Sequence, residues 1–126
     1  MIDEDRLICC GGFIPSTWNN TSMATTISNT NIYNFKTNKW IDVKNKWWSV
    51  CCAGICVENN RVYVGGGSNK VITEGTNCCE YYDITTNKWV ELPNMNIEHG
   101  GNPIIWIENG NILFPQENLF IFLFLV

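Results

Sequence analysis

Apolar residues in this chain fall in runs of about four to six, cut by Gly, Asn, Asp and Thr. The run Leu7 to Gly12 reads as a short strand stopped by a glycine pair. Ile32 to Phe35 and Trp40 to Val43 read as a hairpin around Lys36-Thr37-Asn38-Lys39. Asn38 is the residue there best able to take the left-handed conformation a tight turn needs. Cys52 to Val57, Arg61 to Val64, Cys79 to Ile84 and Trp89 to Leu92 then form a four-stranded antiparallel meander. Pro103 to Ile107 and Asn111 to Phe114 flank Asn109-Gly110, the strongest hairpin signal in the chain. β-branched and aromatic residues fill the runs, and no apolar spacing of three and four persists, so the pattern predicts an all-β protein. Residues 15–31, rich in Ser, Thr and Asn, read as a surface loop.

The strands do not alternate cleanly between apolar and polar. Val62-Tyr63-Val64 and Ile104-Ile105-Trp106-Ile107 are apolar on both faces. A sheet with one wet face alternates, so these strands require cover on both sides. Stacked sheets supply that cover, and the sequence repeats accordingly. Tyr33-Asn34-Phe35-Lys36-Thr37-Asn38-Lys39-Trp40 returns 49 positions later as Tyr82-Asp83-Ile84-Thr85-Thr86-Asn87-Lys88-Trp89. Asn59 and Asn109 are 50 positions apart, which keeps the period. A period of this length built from short strands points to a propeller.

In the first two units the order is apolar strand, Gly-Gly, variable loop, Tyr-(Asp) strand, Thr-Asn turn, then Trp; the third supplies only its first two strands. The middle unit carries Val62-Tyr63-Val64-Gly65-Gly66, Tyr82-Asp83 and Trp89; the first carries Ile8-Cys9-Cys10-Gly11-Gly12, Tyr33 and Trp40. This order resembles the kelch repeat over most of residues 7–114. The resemblance implies an incomplete kelch-type β-propeller of four-stranded antiparallel blades. Its expected divisions are a partial blade at 1–50, a complete blade at 51–98, and the start of a third with an apolar tail at 99–126. The first two glycine pairs align at an offset of 54 (Gly12 to Gly66), and no third pair follows Phe114. Propellers close with about four to eight blades, so the chain reads as a piece of a longer protein whose remaining blades lie elsewhere. The uncharged tail Leu119 to Val126 reads as an aggregation hazard if exposed. Trp40 and Trp89 are expected to pack between blades.

Composition narrows the partner. The net charge of −4 argues against nucleic acid and against an anionic membrane surface. The first eight residues are acidic and make no export signal, and the longest apolar run is too short to span a bilayer. Six of the seven cysteines stand as vicinal pairs and the seventh is Cys56. An odd count without an export signal predicts reduced thiols and a cytoplasmic protein. The pairs read as buried structural thiols with one sulfur on each face of a strand. His99 is the only histidine and no Cys-x-x-Cys occurs, so no zinc or other metal site is expected.

Catalysis finds few residues. Glu74, Asp83 and Glu98 have no evident partner, and Gly65-Gly66-Gly67 leads into a polar loop rather than a helix, unlike a phosphate cradle. The alternative reading is a piece of a propeller enzyme, such as a galactose-oxidase-like copper oxidase or a sugar isomerase. A copper site of that kind needs histidines this chain lacks. The favoured expectation is a non-catalytic protein–protein interaction scaffold without a cofactor. A meander puts the long loops on one end: Phe13 to Thr30, Lys44 to Trp48, Ser68 to Thr76 and Pro93 to Gly101. Trp18, Trp47, Trp48, Asn69 and Lys70 on those loops are the expected partner-binding residues.

Overall fold

The computed structural model describes residues 1–15, 25–69, 75–98, 100, 105–116 and 119–124. Among them the chain is all β. The first sheet has the order β1-β4-β5, from β1 (Arg6–Cys10), β4 (Thr30–Asn34) and β5 (Lys39–Asp42). Between β1 and β4, a short ladder pairs β2 (Phe13–Ile14) with β3 (Thr25–Thr26). The middle sheet is the full meander β6-β7-β8-β9, from β6 (Gly54–Glu58), β7 (Arg61–Gly65), β8 (Cys79–Asp83) and β9 (Lys88–Leu92). The third runs β10-β11-β12, from β10 (Trp106–Glu108), β11 (Asn111–Gln116) and β12 (Leu119–Phe124). All ladders are antiparallel.

The turns show why the Asn-rich spacers work. Asn59 and Asn60 sit at φ 50° and 60°, and Asn109 and Gly110 at 51° and 76°. Positive φ at both central residues is the two-residue hairpin turn that matches strand twist. In the repeated phrase, Asn38 and Asn87 take φ 55° and 52°. The Tyr82 hydroxyl donates to Asn87 Oδ1 at 2.8 Å, and Tyr33 makes the same bond to Asn38. Each Tyr therefore pins the left-handed residue of its own turn. Asp83 Oδ1 accepts from the Thr85 and Thr86 amides at 2.9 and 3.0 Å, and Asn34 Oδ1 accepts from Lys36 and Thr37 at 2.9 and 3.0 Å. Asn and Asp do the same work there through the same oxygen.

Two cores lie between sheets. Ile8 and Ile32 of the first sheet meet Val62, Val64, Tyr82 and Trp89 of the middle one. Tyr63 and Cys79, on the other face of the middle sheet, meet Met95, Ile105 and Ile112. Val62, Tyr63 and Val64 are consecutive and all buried, so the unbroken apolar run does reflect cover on both faces.

Several expectations need correction. The loop over 15–31 contains β3 and the start of β4, because its threonines suit a strand as well as a turn. Leu119 to Phe124 pairs along β11 from Asn111↔Phe124 to Gln116↔Leu119, so the tail forms a third strand of its sheet and has a partner for its backbone. The glycine pairs align one residue differently: Gly11 and Gly66 both donate to the loop ahead of the next strand, to Asn29 O at 2.9 Å and Cys78 O at 3.0 Å. The working pairs are Gly11-Gly12 and Gly66-Gly67, all four at positive φ. A Cβ on Gly11 would lie 2.5 Å from Val50 O, and one on Gly67 2.5 Å from Cys51 O. The glycines let the chain entering the middle sheet cross directly beneath them.

Trp40 is 56% exposed, whereas Trp89 is 7% exposed. The two occupy equivalent positions, but the side of the first sheet that carries Trp40 has no sheet against it among the described residues. The thiols are also not uniformly buried. All seven are free, yet Cys9 and Cys52 are exposed, and Cys52 sits at φ 55° outside any strand. Face alternation accounts for Cys9 beside half-buried Cys10, since only the second faces the middle sheet.

Candidate functional site

The segment from β5 to β6 carries a cluster of polar contacts to both the first and the middle sheet. It leaves the first sheet after Asp42 and joins the middle sheet at Gly54. Gly12 N donates to Val50 O at 2.8 Å, and Cys51 exchanges two 2.9 Å bonds with Ser68. The segment therefore bridges the chain leaving β1 and the chain leaving β7.

A buried ion pair fixes its middle. Lys46 Nζ lies 2.9 Å from Glu80 Oε1, with side-chain exposures of 0% and 2%. The other Glu80 oxygen accepts the Trp47 amide at 2.9 Å, and Lys46 Nζ also donates to the Trp48 carbonyl. Both charges thus have partners beyond each other, the condition for a tolerable buried pair. Glu80 faces the first sheet because it shares a side of β8 with Tyr82. In the first sheet the equivalent position is Asn31, and neutral Asn needs no counterion. Cys10 borders the pair. Burial, the largest influence, pushes its thiol up to about 11; Lys46 pulls it down and Glu80 up.

With its backbone held, the segment turns Trp47 and Trp48 outward, 66% and 42% exposed. The Trp47 indole N–H donates to Trp89 O at 3.3 Å, and the Trp89 indole N–H to Lys44 O at 2.7 Å. Lys44 N donates to Asn87 Oδ1 at 3.1 Å. These bonds hold the segment against the β8–β9 turn. Between them lies a cleft of about 600 Å³ lined by Lys44, Asn45, Lys46, Trp47, Thr86, Asn87, Lys88 and Trp89.

Of the expected partner-binding residues, Trp47 and Trp48 are adjacent and exposed on this segment. Only Trp47 lines the cleft. Asn69 is exposed on a different loop, where its carbonyl accepts from Thr26 Oγ1 at 3.0 Å and ties the β2–β3 ladder to the middle sheet. Trp18 and Lys70 lie outside the described residues, as do Glu74 and His99. The separation into an end of long loops and an end of tight turns does not hold at this cleft. The tight turn Thr86 to Lys88 forms one of its walls, because the outer strand of one sheet ends beside the outer turn of the next. Lys44 and Asn45 fall in an expected binding loop but were not singled out, and Lys88 and the Lys46–Glu80 pair were not expected at a site. The available signal was Glu80 itself, a charge at a position that the repeat places on a covered face.

Asp83 serves the turn between β8 and β9, where its Oδ1 accepts two amides. The Thr86 amide, then that of Thr85, holds it below the usual carboxylate range, and Arg61 lies 4.0 Å away. Gly65, Gly66 and Gly67 are all buried, and a Cβ on Gly67 would meet the Cys51 carbonyl and the Ala53 backbone. Among the described residues no three His, Cys, Asp or Glu side chains converge as metal ligands, and no helix is long and apolar enough to cross a membrane.

Residues 49–96 match the family described as the Kelch motif. The chain is also similar to the solved structure entitled "Structure of YjhT", a kelch-type propeller, with a TM-score of 0.71 at 14% identity. The match covers 90% of this chain and 41% of that one, so the chain spans about two fifths of its length. At that identity the likeness concerns the fold. No curated protein matches the sequence.

Proposed function

We propose that this chain, a row of kelch-type propeller blades with its kelch motif at residues 49–96, serves as a non-catalytic platform for binding another protein. The observation that carries the reading is the pair Trp47 and Trp48, exposed on a segment that an ion pair, two indole N–H bonds and an amide bond hold in place. Large apolar side chains left in water on a rigid frame favour a partner that covers them, at little cost in ordering. The seven free thiols support a reducing, cytoplasmic setting.

The test is affinity capture with the wild-type chain and a Trp47→Ala/Trp48→Ala variant, read by quantitative mass spectrometry. The reading expects partners retained by the wild type and lost by the variant, with the β-sheet circular dichroism spectrum and cooperative unfolding retained. An identical protein set on both would defeat it. Copper retained by the purified chain after dialysis would instead favour an oxidase-type propeller.

A further inference from the structure

We infer that the cleft between the β5–β6 segment and the β8–β9 turn takes an acidic peptide segment, with a carboxylate between Lys44 and Lys88 and an apolar side chain on Trp47. This rests on the platform reading and names the partner's chemistry.

The charge distribution argues it. The chain has 12 acidic and 8 basic residues, so a surface chosen at random is acidic. Arg6, Lys36, Lys46 and Arg61 each lie within 4.0 Å of a carboxylate. Among the described residues, Lys39, Lys44 and Lys88 have no such partner. Two of these three line this cleft, one on each of its two chain segments, and no Asp or Glu lines it. The nearby Glu80 is engaged by Lys46 and by the Trp47 amide, so it does not neutralise the site. Unpaired cations gathered in an acidic protein steer an anionic partner and reject a basic one.

The apolar half of the site is equally defined. Trp47 presents most of its ring to solvent, while its N–H is already bonded to Trp89 O. A ring with its polar edge satisfied offers its face to an aliphatic or aromatic side chain. About 600 Å³ holds a few side chains of an extended peptide. The walls are joined by the bonds of Trp89 to Lys44 O and of Lys44 N to Asn87, so little ordering accompanies binding. A polynucleotide is disfavoured, because the net charge of −4 repels its backbone beyond the cleft.

The experiment is selection of a random twelve-residue peptide library on the immobilised full chain, followed by anisotropy titration of the enriched peptides. The inference expects net-negative peptides with Asp or Glu beside an aliphatic or aromatic residue. Their affinity should fall about tenfold or more in Lys44→Glu/Lys88→Glu, and also on raising salt from about 50 to 200 mM. Both lysines are exposed, so the variant should melt with the wild type, which separates lost binding from lost fold. Enrichment of neutral or basic peptides, no enrichment, or affinity unchanged in the lysine variant would each overturn it. Peptides lost on Trp47→Ala but indifferent to the lysine changes would overturn the acidic specificity and leave the platform standing.

Discussion

Replacing Glu80 with Gln tests how the binding segment is held. The change is nearly isosteric and removes one charge from a site where neither partner reaches water. Lys46 keeps its bond to the Trp48 carbonyl and can keep one to the new amide oxygen, but its ammonium loses its only counterion in the pair. Leaving a buried charge uncompensated costs about 3–5 kcal/mol. A chain of this size is stable by about 5–15 kcal/mol in total, so the loss is a large part of it. At about 3–5 °C per kcal/mol, Tm should fall by about 10–20 °C. Urea unfolding with the slope monitored is the assay. The pair also has a second leg. Lys46→Met/Glu80→Leu removes both charges and leaves the Trp47 amide and the part-buried Trp48 carbonyl without their side-chain partners, about 1–3 kcal/mol each, partly offset because no ion is then desolvated; Glu80→Gln strands the same amide, because its NH2 group cannot accept. The double variant should therefore be more stable than Glu80→Gln alone. A loss under about 1 kcal/mol in Glu80→Gln, or a double variant less stable than the single, would refute the reasoning.

Three further outcomes follow from the repeat. Asp83→Asn should cost under about 0.5 kcal/mol, because Asn34 makes the same two amide bonds in the first sheet, while Asp83→Ala should cost about 1–2 kcal/mol by chemical denaturation. Gly67→Ala should destabilise by about 2–4 kcal/mol, combining positive φ with a Cβ 2.5 Å from Cys51 O; Gly12→Ala, with nothing within 4 Å, should show the backbone part alone, about 1–2 kcal/mol. Burial pushes Cys79 up to about 12 and Cys56 to about 11 from 9.0, so the folded state holds protons there that the unfolded state has released. Stability should fall as pH rises from about 9 towards 11. At pH 8, exposed Cys9 and Cys52 should alkylate well before Cys79, as timed mass spectrometry would read.

Much of the fold is legible in the sequence because turn chemistry is local. Asn-Asn, Asn-Gly and Thr-Asn-Lys specify positive φ without knowledge of what packs nearby, and the strands between them are bounded accordingly. Cover on both faces was also readable, since Val62-Tyr63-Val64 allows no wet side. What failed depended on neighbours. Trp40 and Trp89 are indistinguishable as residues, and only the presence of a sheet against one of them buries it. The tail resembles an exposed hazard until its register with β11 is known. The cleft was invisible for the same reason. Its walls are about 40 positions apart in the chain, and only the packing of the first sheet on the middle one, through Lys44, Asn87 and Trp89, brings them together.

The joint between the first and middle sheets has a polarity. One side contributes Tyr82 and Trp89 as a projecting ring pair, 5.4 Å between centroids; the other contributes Ile8, Ile32 and a backbone carbonyl to receive it. Tyr33 and Trp40 form the same projecting pair, 5.1 Å apart, on the far side of the first sheet. Such a joint is heterologous: the first sheet carries the plug on one face and the socket on the other. A stack built this way has a head and a tail, and two identical ends cannot mate through it. Whatever caps Trp40 must approach with socket chemistry, in the same rotational sense as the rest of the row.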